Sequence, residues 1–137
     1  MVVAAGGNTG SQSATMVIRA MSLGEFDVKN YFEVIWKELR IGVLLGSLVG
    51  VLIFVQIKLL TVGNVPPEIN LLHIAFAVGL ALMIQIITST LLGSALPLIA
   101  NLMRADPAAV AAPVITTVVD VTGMVIYFLL AKWFLGL

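Results

Sequence analysis

Cysteine is absent from this chain, and His73 is its single histidine. The first absence removes disulfides, thiolate metal sites and thiol catalysis. With one imidazole, neither a zinc-type His cluster nor a Ser-His-Asp triad has a convincing set of parts. Charge is scarce too: Asp, Glu, Lys and Arg make up 10% of 137 residues, the formal net charge is +0, and 61% of residues are hydrophobic. Neither sign dominates, so there is no basic field for nucleic acid and no acidic tail. A soluble domain is about a quarter charged, and a globule this small leaves much of its surface wet. The charges here are too few to cover such a surface, which places the chain in a membrane with several spans.

The few charges punctuate the chain. Ile41–Ile57 carries none, Ile74–Met103 carries none, and from Pro107 to Ala131 the only charge is Asp120. A spanning helix needs about 20 mostly apolar residues, so spans are predicted over 38–60, 70–103 and 107–136. The middle span is longer than a bilayer requires and is expected to tilt, protrude or bend near Pro97. Residues 2–21 differ: they are apolar but carry Gly6, Gly7, Asn8, Gly10, Ser11, Gln12, Ser13 and Thr15. A signal peptide would open on basic residues and run to a plain apolar block. This stretch instead reads as a membrane helix facing protein or water rather than lipid. It starts abruptly at Met1 with no leading loop, so native residues are expected upstream. The fold class predicted is all-α: a polytopic helix bundle with four membrane segments, without a soluble domain, low-complexity tract or internal repeat.

Lys and Arg give the orientation. Arg19, Lys29, Lys37, Arg40 and Arg104 border the linker 22–37 and the turn 104–106, whereas Lys58 and Lys132 lie toward the opposite side. The excess puts the linker and the turn in the cytoplasm, and the Gly63–Pro67 loop and the C-terminus outside. Within the linker, 26–37 mixes Phe26, Tyr31, Phe32, Ile35 and Trp36 with charges, which suits a connector whose aromatics anchor helix ends at the interface. Glu68, in the outer loop, and His73 read as a solvated carboxylate and an interfacial residue.

Asp120 is the residue to explain. A carboxylate near the middle of a span costs roughly 2.5–3.5 kcal/mol on insertion scales, and such residues default to functional sites. Nothing basic lies one turn away; Pro113, Thr116, Gly123 and Tyr127 share its face, which is small and polar and suits a water-filled path. The competing reading is a protonated or inter-helix hydrogen-bonded Asp that only fixes packing. Without Cys and with one His, soft metals are disfavoured. The ligands on offer are oxygens: Asp120, the hydroxyls of Thr116, Thr117, Ser11 and Thr15, and carbonyls freed near Pro113 and the glycines. One Asp per chain is too little for a closed Ca²⁺ cage, but Mg²⁺ keeps several waters and needs only one or two carboxylates. Two chains about a two-fold axis would turn two copies of Asp120 toward one pore. On the first helix, Gly7, Ser11 and Thr15 line one face, beside a polar stripe of Asn8, Gln12, Thr15 and Arg19; packing and pore lining explain it equally well. Gly42, Gly46 and Gly50 repeat the small-xxx-small spacing of close helix packing, and Gln85 with Thr88 and Ser89 reads as inter-helix hydrogen bonding.

At these residues the chain resembles a family. Gly6-Gly7-Asn8-Thr9-Gly10-Ser11-Gln12-Ser13-Ala14-Thr15, running on to Arg19 and Gly24-Glu25, is similar to the GGNxGxQSAT…R…LGE stretch of the MgtE magnesium transporters. Pro113 to Gly123, then Tyr127-Phe128, is similar to their PxxTTxxDxxGxxxYF stretch, about a hundred residues further on. The resemblance spans essentially all of 1–137. It implies the later four of five membrane helices, with the first helix and the cytosolic regulatory domains missing. It also implies a homodimer whose pore is lined by 2–21 and 107–136. A selectivity site for hydrated Mg²⁺ is implied at Asp120, with carbonyls near Thr116 and Ala4 contributing, and pore-lining roles at Gly7, Ser11 and Thr15. Ser11 departs from the Asn common at that motif position.

Taken together, the residues and the resemblance give the expectation: a multi-pass plasma (inner) membrane protein, homodimeric and in contact with lipid, passing Mg²⁺ through a pore faced by Asp120, Pro113 and Gly123. Mn²⁺ and Co²⁺ accept the same oxygen octahedra; nucleic acid is not a partner, and catalysis is not expected with one usable carboxylate. The alternative is a non-conducting membrane assembly subunit whose polar faces serve packing only.

Overall fold

The computed structural model describes residues 2–25, 30–60 and 70–135. Four helices account for nearly all of them: α1 (Val2–Ser22), α2 (Tyr31–Leu60), α3 (Leu71–Leu102) and α4 (Pro107–Leu135). Three are long and apolar enough to cross a membrane: α2, α3 and Pro113–Phe134 of α4. The sequence expectation of four spans thus meets three such helices; α1, with its glycines and polar residues, is not in that set.

Local chemistry sets the ends. At the close of α1, Gly24 takes φ 68, the Gly24 N–H donates to the Met21 carbonyl and the Glu25 N–H to the Ala20 carbonyl, the left-handed stop that glycine supplies without Cβ strain. The Asn70 side chain caps α3 by accepting from the Leu72 and His73 N–H groups at 3.1 and 3.4 Å. Asp106 caps α4 through the Ala108 N–H at 2.9 Å, and Pro107 sits at the first helical position, where a missing N–H costs nothing.

One expectation changes. The stretch 22–37 is not all linker: α2 begins at Tyr31, because the aromatic and charged residues 31–37 extend the helix past the apolar span instead of breaking it. Phe26, Asp27 and Lys29 lie outside the described residues, as do the Gly63–Pro67 loop and Glu68. The long middle helix runs unbroken through Pro97 to Leu102, a length of about 48 Å at 1.5 Å per residue, against about 30 Å of hydrocarbon.

The bundle is organised on α3, which packs against each of the other three helices, while α1 also packs against α4. Ala75, Gly79, Leu82, Gln85, Ile86, Ser89, Gly93 and Leu98 are buried along it. Gly42, Gly46 and Gly50 form the buried seam of α2 against α3. A Cβ at Gly46 would come 2.8 Å from the Met83 carbonyl oxygen, and one at Gly50 2.7 Å from that of Gly79. The opposite side of α2, with Leu44, Leu48, Leu52 and Leu59, is exposed and suits lipid. Gly46→Leu is therefore expected to destabilise the bundle by about 1–3 kcal/mol through overpacking, read as a lower denaturation temperature in detergent. Leu48→Ile, on the exposed side, should change little; equal stability of the two would mean that the seam tolerates bulk.

The ends of α1 and α3 and the starts of α2 and α4 gather on one side of the bundle, where the Asn101 amide donates to the Tyr31 hydroxyl at 2.6 Å. Arg19, Lys37, Arg40 and Arg104 belong to this end, and Lys58 and Lys132 to the other.

Candidate functional site

Small residues decide which helices meet at Asp120. Gly10 of α1 presses on α3 and α4 together: a Cβ there would lie 3.1 Å from the Ser89 carbonyl oxygen and 3.4 Å from the side chains of Ile115 and Val119. Ala14, Ile115 and Val119 form the buried core of this corner, with Ile18, Leu92 and Leu96 packed on it. With 10 and 14 turned inward, helical geometry turns Asn8, Gln12 and Thr15 outward, and all three are exposed. On α4, burial of Ile115 and Val119 leaves Asp120 at the edge of the contact.

Asp120 is half-buried. A Cβ built on Gly7 would lie 3.7 Å from its Oδ1, so α1 approaches the carboxylate through a residue without a side chain. Among the described residues Asp120 has no hydrogen-bond or ion-pair partner. At helical spacing Ala4, Gly7, Ser11 and Thr15 form one stripe on α1, and Pro113, Thr116 and Asp120 one on α4; the stripes meet at Gly7 and Asp120. Ala4, Thr15, Pro113 and Thr116 are exposed, Gly7 and Ser11 half-buried. Toward the 104–106 turn, a groove of about 380 Å³ opens between the two helices, lined by Ser11, Thr15 and Arg19 on one side and Ala108 and Ile115 on the other.

This face is rich in oxygen. Thr116 and Thr117 donate to the Pro113 carbonyl at 3.1 and 3.0 Å, and Thr15 to the Ser11 carbonyl at 2.8 Å. The Thr15 and Thr117 hydroxyls have given their protons to the backbone and keep lone pairs for water or for a cation's hydration shell. Pro113 has no N–H, so the Ala109 carbonyl lacks its helical donor. Among the described residues, no group of three or more His, Cys, Asp or Glu gathers to hold a metal ion.

Gly123 leaves the face. It is buried against Gln85, whose Nε2 would lie 2.7 Å from a Cβ at that position. Of the three polar residues read as inter-helix hydrogen bonders, Gln85 alone bonds across: its amide donates to the Val119 carbonyl at 2.9 Å. Thr88 donates within its own helix to Ile84 and Gln85, and the Ser89 hydroxyl is buried without a partner among the described residues. The link from Gln85 to α4 ends on a backbone carbonyl, which every residue has, so no residue type in α4 announces it. Glu38 is a further polar contact missed in the sequence. The Ser13 hydroxyl donates to its Oε2 at 2.6 Å and to the Thr90 carbonyl at 3.1 Å, joining α1, α2 and α3.

Among the described residues, Asp120 is the one carboxylate on this open face of glycine, hydroxyl and carbonyl, in a helical bundle with three helices long and apolar enough to cross a membrane. The chain belongs to the MgtE family: the family described as "Divalent cation transporter" matches residues 1–130. It is similar to the "Magnesium transporter MgtE" of Thermus thermophilus, 34% identical over 132 residues (96% of this chain, 27% of that protein). The protein of the same name in Bacillus subtilis is 33% identical over 135 residues (98% and 28%), and that of Enterococcus faecalis 27% over 135 residues (98% and 28%). The chain thus spans little more than a quarter of the length of these relatives.

Proposed function

We propose that this chain is the pore-bearing part of a magnesium transporter, in which Asp120 attracts a hydrated Mg²⁺ ion at a pore between two copies of the chain. The observation that carries this reading is the unpaired, half-buried Asp120 on the open face of α1 and α4, beside Gly7. One carboxylate from each of two copies would match the charge of one divalent ion. The hydrated ion needs no more, since Mg²⁺ keeps several of its waters. The Ala4 and Thr116 carbonyls, Ser11, Thr15 and Pro113 would accept hydrogen bonds from those waters. Gly7 would leave the width for them. Gly123 would act from behind, by letting α3 close on α4.

The ion would move down its electrochemical gradient, where an inside-negative potential supplies about 4.6 kcal/mol per divalent ion per 100 mV. No covalent step is involved. Mn²⁺ and Co²⁺ would fit the same oxygen site. Residues 1–137 would form a transmembrane domain that in the full-length protein follows a first membrane helix and cytosolic regulatory domains. In this domain α1 is a fourth span: its 21 residues are about 31 Å long, the thickness of the hydrocarbon layer. Gly6 and Gly10 face protein, and Gly7, Ser11 and Thr15 would face the pore. The test of the function is Mg²⁺ uptake by the Asp120→Asn protein.

Orientation in a plasma membrane has its own test. Arg19, Lys37, Arg40 and Arg104 should lie in the cytoplasm. In a chain with no cysteine, Asn30→Cys should react with a thiol reagent only from the cytoplasmic side, and Asn64→Cys only from the outside. The reverse pattern would invert the topology.

A further inference from the structure

We propose that Gln85 of α3 is a positioning residue: it sets the register of α1 against α4 that keeps Gly7 beside Asp120. The proposal rests on the reading of Asp120 as the ion site. Gln85 is fully buried and is slotted between two glycine notches, one on each helix of the open face. On the α1 side, a Cβ at Gly6 would overlap its Nε2 and lie 2.8 Å from its Cγ. On the α4 side, a Cβ at Gly123 would lie 2.7 Å from Nε2 and 3.0 Å from Cδ. Gly6 is the neighbour of Gly7, and Gly123 lies one turn from Asp120. The carbonyl that receives the Gln85 N–H, at 2.9 Å, belongs to Val119, the residue before Asp120. One side chain of a third helix thus touches both halves of the site at the level where they meet.

Packing does not account for an amide here. Among the described residues Gln85 Oε1 is buried without a hydrogen-bond partner, and an apolar side chain of the same length would fill the slot without leaving an orphaned acceptor. What the amide adds is direction. Its N–H reaches the Val119 carbonyl where the Gly123 notch admits the amide, so the bond and the notch together fix one axial position of that helix. A slip of one residue moves a helix by about 1.5 Å and turns it by about 100°, enough to carry Asp120 away from Gly7. An apolar side chain would keep the notch contact but lose the bond.

The experiment exploits the absence of native cysteine. In the full-length transporter freed of any other cysteine, Gly7→Cys and Asp120→Cys are joined by a short thiol-specific cross-linker, and the linked peptides are identified by mass spectrometry after proteolysis. The yield is compared with Gln85 intact, with Gln85→Met and with Gly123→Ala; the last pushes a methyl group into the amide and leaves Gln85 in place. Both changes should lower the 7–120 yield several-fold, with an unaltered denaturation temperature for Gln85→Met. In the protein that retains Gly7 and Asp120, Gln85→Met should weaken the apparent affinity for Mg²⁺ about tenfold. Equal cross-linking in all three backgrounds would overturn the proposal. A lowered yield with unchanged Mg²⁺ uptake would uphold Gln85 as the register device and instead remove Asp120 from the ion path.

Discussion

Asp120→Asn should give a protein that is expressed and assembled normally but no longer binds or carries Mg²⁺. Asn keeps the size of the side chain and some of its hydrogen bonding; the charge alone goes. Among the described residues no partner side chain is orphaned by the change, because none is paired with the carboxylate. Stability should hold or rise, since a charge at mid-span costs roughly 2.5–3.5 kcal/mol on insertion scales. Ion binding points the other way. With two copies of the chain, two formal charges leave the site. A divalent ion about 5 Å from one carboxylate at an effective dielectric of about 20 gains roughly 7 kcal/mol before desolvation. Losing even about 2.8 kcal/mol of that is a hundredfold in affinity. The contacts from the carboxylate to coordinated water weaken as well. Stability and transport should therefore separate, which a packing role for Asp120 would not produce. Radiometric or fluorescent Mg²⁺ uptake into liposomes reads one, and thermal denaturation in detergent the other. A full-length Asp120→Asn protein that transports at the native rate would rule the ion site out.

The largest effect on folding is expected at Gly93. A Cβ there would run into the Gly10 carbonyl oxygen, with the Gly10 carbonyl carbon at 2.8 Å and its Cα at 2.9 Å. All three atoms are backbone, so no rotamer change relieves the overlap; α1 must move off α3. Gly93→Ala should cost the upper part of the roughly 1–3 kcal/mol typical of overpacking, and Gly93→Leu should exceed it. Loss of the α1 contact would also move Gly7 from Asp120, so transport should fall together with the denaturation temperature. Gly24→Ala is the informative contrast. Gly24 has nothing within 4 Å and differs by its φ of +68, so the change should cost only the roughly 1–2 kcal/mol of a left-handed residue with a side chain. If Gly93→Leu denatures at the native temperature, α1 is not packed on α3 as described.

Composition and charge spacing were enough to place α2, α3 and α4 within a few residues, since the bilayer demands length and apolarity and little else. They failed at the start of α2. Tyr31 to Lys37 carries charge, so it falls outside an apolar window, yet nothing in it stops a helix. The glycine seam of α2 was legible because its spacing repeats every four residues, and a repeat on one helical face is a local property. Gly123 misled for the same reason. Its spacing from Asp120 puts it near one face, and only the position of α3 decides that Gln85 covers it.

By itself the sequence determined the class of this protein: an all-helical membrane chain of the MgtE family with one carboxylate inside its last span. Each of those properties is carried by residue types and by their order along the chain. The tertiary structure decided which residues meet. Gly10 against Gly93 brings α1 onto α3, Gly7 comes to Asp120, and Gln85 reaches the Val119 carbonyl. Such contacts depend on how three helices turn about their axes. That turn is set where glycines let backbones close on one another, and the partners in these contacts are largely backbone atoms. Every residue carries the same backbone, so the sequence holds no mark of which ones will be chosen.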